Sequence, residues 1–191
     1  TGAGGSARTA AVQPAGSQFY NDAVSLNGSY TVSSGTFLAG GSVTLTGPVA
    51  ISGGDITLLG PIDSTPARGF ALTLNPGDGN SALLAGDVGA ADPLGGLTVQ
   101  AVADGTATIT APGYLALAGD LGFSADKGLY IGDGVSASFT GGGVIRNFTD
   151  SGVVIEASVD SVIADFAISG NGRDGVQLNG ATRAAVRANT I

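Results

Sequence analysis

"GVVIEASVDSVIADFAI" (152–168) and "GVQLNGATRAAVRANTI" (175–191) are one phrase written twice, twenty-three residues apart. With Gly152 set over Gly175, Val153 falls on Val176, Ile155 on Leu178, Ile163 on Val186 and Ile168 on Ile191. Working outward, "GLYI" (128–131) joins as an earlier copy, twenty-four residues before Gly152, and "VIRNF" (144–148) reads over "VIADF" (162–166). A period in the low twenties, holding about three short strands, is the signature of a β-solenoid. Each coil cannot bury its apolar face alone, but stacked coils share one interior, with rungs ~4.8 Å apart. The expected fold class is therefore all-β, a parallel β-helix with regular coils of 23–24 residues over 128–191.

The text before it is looser. "VTLTGPV" (43–49) returns thirteen residues later as "ITLLGPI" (56–62), each with Gly-Pro inside. "FALTLN", "GLTVQAV", "TATIT" and "YLALAG" alternate apolar and small polar residues at period two, and Gly-Gly, Gly-Pro and Gly-Asp-Gly punctuate them as turns. Residues 19–127 thus read as irregular β-strand repeats, either coils of the same helix, the favoured reading, or a β-rich cap in front of it. Proline lacks a ladder donor, so Gly-Pro belongs at a corner. Residues 1–18 read as a flexible arm or linker, in which "SARTAAVQ" is the nearest approach to a helix and Pro14 ends it. The chain opens on Thr1 and stops at Ile191 inside a strand-like phrase, as a piece of a longer protein would.

Composition narrows function. The 191 residues include 34 Gly, are 43% hydrophobic and only 12% charged. That is too apolar and too lightly charged for a disordered chain. Net charge is −8, and seven Lys and Arg cannot make a phosphate-tracking stripe, so no nucleic acid is expected. No apolar run is long enough to cross a bilayer as a helix, so no membrane insertion is expected. The absence of Cys and His excludes thiolate metal sites and any Ser–His or Cys–His nucleophile.

The repeat "GVxIxxSxxxxIxxxxI…GVxL", as it stands in Gly152–Leu178, resembles the right-handed parallel β-helix repeats of pectate-lyase-like proteins. "VTLTGPVAISGGDITLLG" (43–60) and "LTLNPGDGNSALLAGDVGAADPLGGLTV" (72–99) resemble the degenerate repeats of large bacterial surface exoproteins of the filamentous-haemagglutinin type. The resemblance implies a right-handed helix and an extracellular or cell-surface location. One departure concerns the internal asparagine ladder that such helices often carry at a bend. Asn189 holds that place in the last coil, but Phe166 holds it in the coil before.

Motif by motif, shape outweighs chemistry. "GNGRDG" (170–175) fits G-x-G-x-x-G, but strand-like "VQLNG" follows where a dinucleotide site needs a helix. "NPGDGN", "GGD" and "IGDGV" are fully explained as turns; a bound calcium would draw on Asp78, Asn80 and Asp133. Glu156, Asp160 and Asp165 are the carboxylates of the best-defined coils, and Arg146, Asp165 and Arg187 read as a surface charge ladder at one bend. Phe139, Phe148 and Phe166 read as core, and Tyr130 as an outward side chain and the one named surface-binding candidate. "NGS" at Asn27 and "NFT" at Asn147 match the glycosylation sequon by chance in Ser/Thr-rich text.

No catalytic, cofactor-binding or metal residues are therefore assigned. The expectation is a non-catalytic structural or adhesive rod segment of a secreted or surface-anchored protein. Its partners would be molecules of host or neighbouring cells, or copies of itself. A carbohydrate-active β-helix, a lyase or hydrolase, is the alternative, and a fibre subunit a further one.

Overall fold

A computed structural model describes residues 7–12, 16–77, 79–100, 107–112, 115–118, 127–133 and 135–191. Among them there is no helix; every regular element is a strand, and the neighbouring strands described are all parallel, wound as a β-solenoid of about six turns. The strands of the irregular part are β1 (Ala7–Val12), β2 (Gln18–Tyr20), β3 (Val24–Ala39), β4 (Val43–Leu58), β5 (Ile62–Ser64), β6 (Ala71–Pro76), β7 (Ser81–Leu84), β8 (Gly96–Val99), β9 (Ala107–Pro112) and β10 (Leu115–Ala118). The regular part adds β11 (Leu129–Ile131), β12 (Val135–Thr140), β13 (Gly143–Arg146), β14 (Val153–Glu156), β15 (Val162–Ala164), β16 (Phe166–Ser169), β17 (Val176–Asn179) and β18 (Ala185–Arg187).

Each coil passes through three faces. Face A stacks the middles of β3 and β4, then β6, β8, β11, β14 and β17. Face B stacks β2, the ends of β3 and β4, then β7, β9, β12, β15 and β18. Face C stacks β1, the starts of β3 and β4, then β5, Val88, β10, β13 and β16. The period-two pattern explains why. On face A, Tyr30, Ile51, Leu74, Val99, Ile131 and Ile155 lie in one register column, each wholly buried. Burying side chains of this size contributes ~1.5–3 kcal/mol each, and a one-residue slip would turn the whole column to solvent.

The regular coils pair in the register expected of them, Leu129 on Val153 on Val176 and Ile163 on Val186. Phe139, Phe148 and Phe166 are buried in the shared interior. The irregular residues join the same ladder, with coil steps that vary: Val43 pairs with Ile62, nineteen residues on, and Leu97 with Leu129, thirty-two on.

The thirteen-residue repeat marks two faces of one coil rather than a coil step. Val43–Leu45 lies on face C and Ile56–Leu58 on face B, two sides of one coil that read alike because both feed the same interior. Gly47-Pro48 is a corner all the same: three residues of β4 (46–48) oppose Asn27 alone in β3, and Pro48 is exposed. "VIRNF" does not lie over "VIADF". Val144 pairs with Ala167 and Ile145 with Ile168, while Val162 and Ile163 pair with Ser138 and Phe139. Val-Ile recurs because two faces need it, and the offset of 18 residues misses the coil step. Within the expected arm, Ala7–Val12 is a strand on β3 rather than a helix or a linker.

The asparagine ladder is replaced by a Phe–Asn step. The Asn189 side chain accepts the Phe166 N–H at 2.9 Å and donates to the Ile163 carbonyl at 2.9 Å. Asn171 accepts the Phe148 N–H at 3.1 Å in the same way. In each case the ring goes inward and the asparagine of the next coil satisfies the backbone it leaves behind.

Candidate functional site

The strands set side chains in rows on the outer faces, and face A of the regular coils carries Tyr130 and Glu156. On β11 Tyr130 points outward between buried Leu129 and Ile131, and Glu156 is exposed at the end of β14, after buried Ile155. The Tyr130 hydroxyl donates to Glu156 Oε2 at 2.7 Å. That bond, with partial burial and the nearby negative charge of Glu156 and Asp133, pushes the phenol up to about 12. Tyr130 is thus a held donor, poorly suited to ionise near neutrality. Val154 and Gln177 continue its register column, and Gln177 bonds both Asn179 (3.3 Å) and the buried Ser151 (3.2 Å).

The corner leading into face A carries a charge network. Asp150 lies 3.5 Å from Lys127 and 3.8 Å from Arg173, which also approaches Asp174 at 3.8 Å. Arg173 belongs to "GNGRDG". The amides of that turn are spent on the neighbouring coil, Gly172 N–H on the Phe148 carbonyl (2.8 Å) and Arg173 N–H on the Asp150 carbonyl (3.1 Å). A strand, β17, follows. No anion cradle forms there.

The three carboxylates singled out in the sequence lie at three separate places on the coil. Glu156 ends β14 on face A and is bonded to Tyr130. Asp160 sits at the corner between faces A and B, gripped at both oxygens by Arg183, Nε at 2.6 Å and Nη2 at 2.7 Å. Those bonds hold the Asp160 carboxyl below its ordinary range and raise the guanidinium. Asp165 turns the next corner, between β15 and β16, with φ 69°. The expected Arg146–Asp165–Arg187 ladder does not form: Arg146 lies opposite Ser169 and Arg187 opposite Ala164. The charge pair that does span these coils, Asp160–Arg183, was missed; both residues sit in turns at equivalent places one coil step apart, and that spacing was the available signal.

Of the calcium candidates, Asp78 lies outside the described residues, and no group of three or more acidic side chains that could hold a metal gathers among the described ones. Asp55, from "GGD", accepts the Ser81 N–H at 2.9 Å, and Asp63 accepts the Ala91 and Asp92 N–H groups at 3.0 and 3.2 Å. These carboxylates pin turns to the neighbouring coil.

Face B offers a different surface. Phe19, Leu38, Thr57, Leu83, Thr110, Ser138, Val162 and Ala185 form one register column along eight rungs, without a charge. Phe19 is 62% exposed and Leu83 37%, and Leu59, just past the end of β4, is 45% exposed.

No family model, curated protein or solved structure matches the chain. The architecture itself is a parallel β-solenoid.

Proposed function

We propose that the chain is a non-catalytic structural and adhesive rod segment, working on a cell surface or outside the cell. Its partners are molecules of host or neighbouring cells, or further copies of itself. The observation that carries this reading is the uncharged column along face B, with exposed Phe19 and Leu83 in line and Leu59 beside them. Contiguous exposed apolar surface marks interaction sites on soluble proteins, and a ladder bonded from coil to coil holds such a row in fixed spacing. An adhesive rod of the filamentous-haemagglutinin type would need this and no chemistry. The test is attachment of beads coated with the chain to cultured cells and to like-coated beads. Phe19→Ser with Leu83→Ser should abolish most attachment while the circular dichroism stays unchanged. Undiminished attachment by that folded variant sinks the reading.

A second reading, a carbohydrate-active β-helix of the pectate-lyase-like kind, draws on the Tyr130–Glu156 pair with Gln177 and Asn179 on one face. It rests on Glu156. Release of reducing ends from a polysaccharide panel should then fall at least ~100-fold in Glu156→Gln; equal turnover, or none by the wild type, excludes it.

A further inference from the structure

The sequence holds a single Asp-Pro step, Asp92-Pro93, in the crossing from Val88 on face C to β8 on face A. The rest of the fold grips this crossing on both sides of that bond. Before it, the Ser64 N–H donates to the Asp92 carbonyl at 3.1 Å, and the Asp63 carboxylate accepts the Ala91 and Asp92 N–H groups at 3.0 and 3.2 Å. After it, Leu94 is wholly buried and bridges to Leu117, and the Gly95 N–H donates to the Phe70 carbonyl at 3.1 Å. Pro93 has no N–H to pin. Water still reaches the bond: Ala91 is exposed, and Asp92 and Pro93 are half-buried. Asp55, Asp63, Asp150 and Asp160 spend their carboxylates on amides or cations. The Asp92 carboxylate takes no hydrogen bond or ion pair among the described residues.

We propose that Asp92-Pro93 is a self-cleavage site. One Asp92 carboxylate oxygen attacks the backbone carbonyl carbon of its own residue and closes a five-membered ring. The carbonyl electron pair moves onto the oxygen, toward which the Ser64 N–H already points; a fixed donor at a developing oxyanion lowers the barrier to such a step. When that pair returns, the C–N bond breaks and the Pro93 nitrogen leaves as a secondary amine, taking a proton from solvent. One water then opens the cyclic anhydride to the Asp92 side-chain carboxylate and a new α-carboxylate. Water is the only co-reactant, and nothing is oxidised or reduced. Nucleophile and carbonyl belong to one residue, so the encounter is intramolecular. Proline suits the step because a tertiary amide nitrogen accepts the proton more readily than a secondary one.

Asp63 is the positioning residue: by holding the Ala91 and Asp92 N–H groups it fixes the carbonyl against the Ser64 donor. Cleavage opens the chain at a corner and leaves the rod standing. On one side of the cut Val88 bridges to Ile62 and Leu115, and on the other β8 pairs with β6 and β11. One chain becomes two that share a solenoid. This proposal stands independently of the adhesive reading.

The experiment follows the fragments ending at Asp92 and starting at Pro93 by mass spectrometry, after warm incubation of the whole chain in one weakly acidic buffer, folded and in concentrated urea. The folded chain should cleave at least ~10-fold faster than the unfolded one, and Asp92→Ala should cleave in neither. Asp63→Ala, shown to be folded by circular dichroism, should lose most of the native advantage and keep the urea rate, a split that a merely labile Asp-Pro bond would not show. A folded wild type that cleaves no faster than in urea overturns the proposal, and so does an undiminished native rate in folded Asp63→Ala. Where that variant fails to fold, the wild-type comparison alone decides.

Discussion

The coils before Lys127 and those after it belong to one parallel ladder, yet they turn their corners by different means. In the early coils β3 and β4 each run sixteen residues through all three faces. They bend where glycine lets backbone approach backbone: a side chain at Gly53 would strike the Val32 carbonyl, and one at Gly54 the Gly35 carbonyl. In the late coils the strands are three to six residues long and corners are made by left-handed residues that recur at the coil step. Ala157 and Gly180, Asp160 and Arg183, Asp165 and Ala188, Asn147 and Gly170 are such pairs, each with φ between 47° and 69°. Charge divides similarly. Residues 1–126 hold two of the seven cations and nine of the fifteen acids, while Asp150 and Asp160 of the late coils pair with Lys127, Arg173 and Arg183. The early corners rest on missing side chains at Gly53 and Gly54, with Asp55 and Asp63 reaching the next coil beside them; the late corners rest on left-handed residues and on ion pairs that cross coils.

The largest loss of stability should come from Gly53→Ala. Gly53 combines φ 109° with the Val32 backbone in the path of a β-carbon. The backbone cannot give way cheaply, so the loss should reach about 3 kcal/mol or more. Denaturant unfolding would show it as a lower midpoint at unchanged slope. A loss under about 1 kcal/mol would mean the early corners are not closely packed.

Next in size is Ser161→Ala in the late coils. The Ala137 N–H donates to Ser161 Oγ at 3.1 Å, Ser161 and Ser158 share a hydroxyl contact, and Ser158 donates to the Val135 carbonyl at 2.7 Å. Both serines are fully buried. Removing Ser161 leaves a buried backbone donor unpaired, a cost of ~1–3 kcal/mol. If the double variant Ser158→Ala/Ser161→Ala proves as stable as wild type, side-chain bridging does not hold this corner.

What could be read in advance follows the same divide. The regular coils were legible because Val153, Ile155 and Ile163 repeat at a constant step, and a fixed step makes the interior columns visible in the text. The early coils were legible as strands but not in register. Their steps stretch from seventeen to thirty-two residues, so the nearest look-alike phrase, Ile56–Ile62 for Val43–Val49, was not the stacking partner. The Phe–Asn steps were hidden for another reason. A ladder is sought as one residue type repeated, whereas here Phe166 and Asn189 share a place by supplying a ring and a cap. At the candidate site, the outward direction of Tyr130 was readable from alternation, but its bond to Glu156, one coil away, was not.

A smaller effect, of opposite sign, should come from Ala157→Gly. At φ 47° an alanine carries left-handed strain of ~1–2 kcal/mol. Glycine removes it but loses ~0.4–1 kcal/mol through the greater freedom of the unfolded chain. The balance favours glycine by about 0.5 kcal/mol, and Gly180 already occupies the equivalent corner one coil later. A thermal unfolding midpoint that falls would show that Ala157 is held there by packing strong enough to outweigh its strain.

The smallest effect belongs to Asp160, and it separates charge from shape at a late corner. Asparagine tolerates the left-handed backbone about as well as aspartate does, so Asp160→Asn keeps the turn at φ 59° and removes the ion pair with Arg183. Because the folded carboxyl is depressed by those hydrogen bonds, its contribution is present above the ordinary carboxylate pKa and is lost as pH falls through the folded value. Both side chains are more than half exposed, so solvent and salt screen the pair. Wild type should therefore be slightly more stable than Asp160→Asn at neutral pH and low salt. The two should converge in strong acid, and separately in molar salt at neutral pH. Convergence under both conditions would make the pair an electrostatic accessory to a corner already set by its backbone. A gap that survives both would mean that the paired hydrogen bonds from Arg183 to Asp160, by their geometry rather than their charge, hold this turn in register with the next coil.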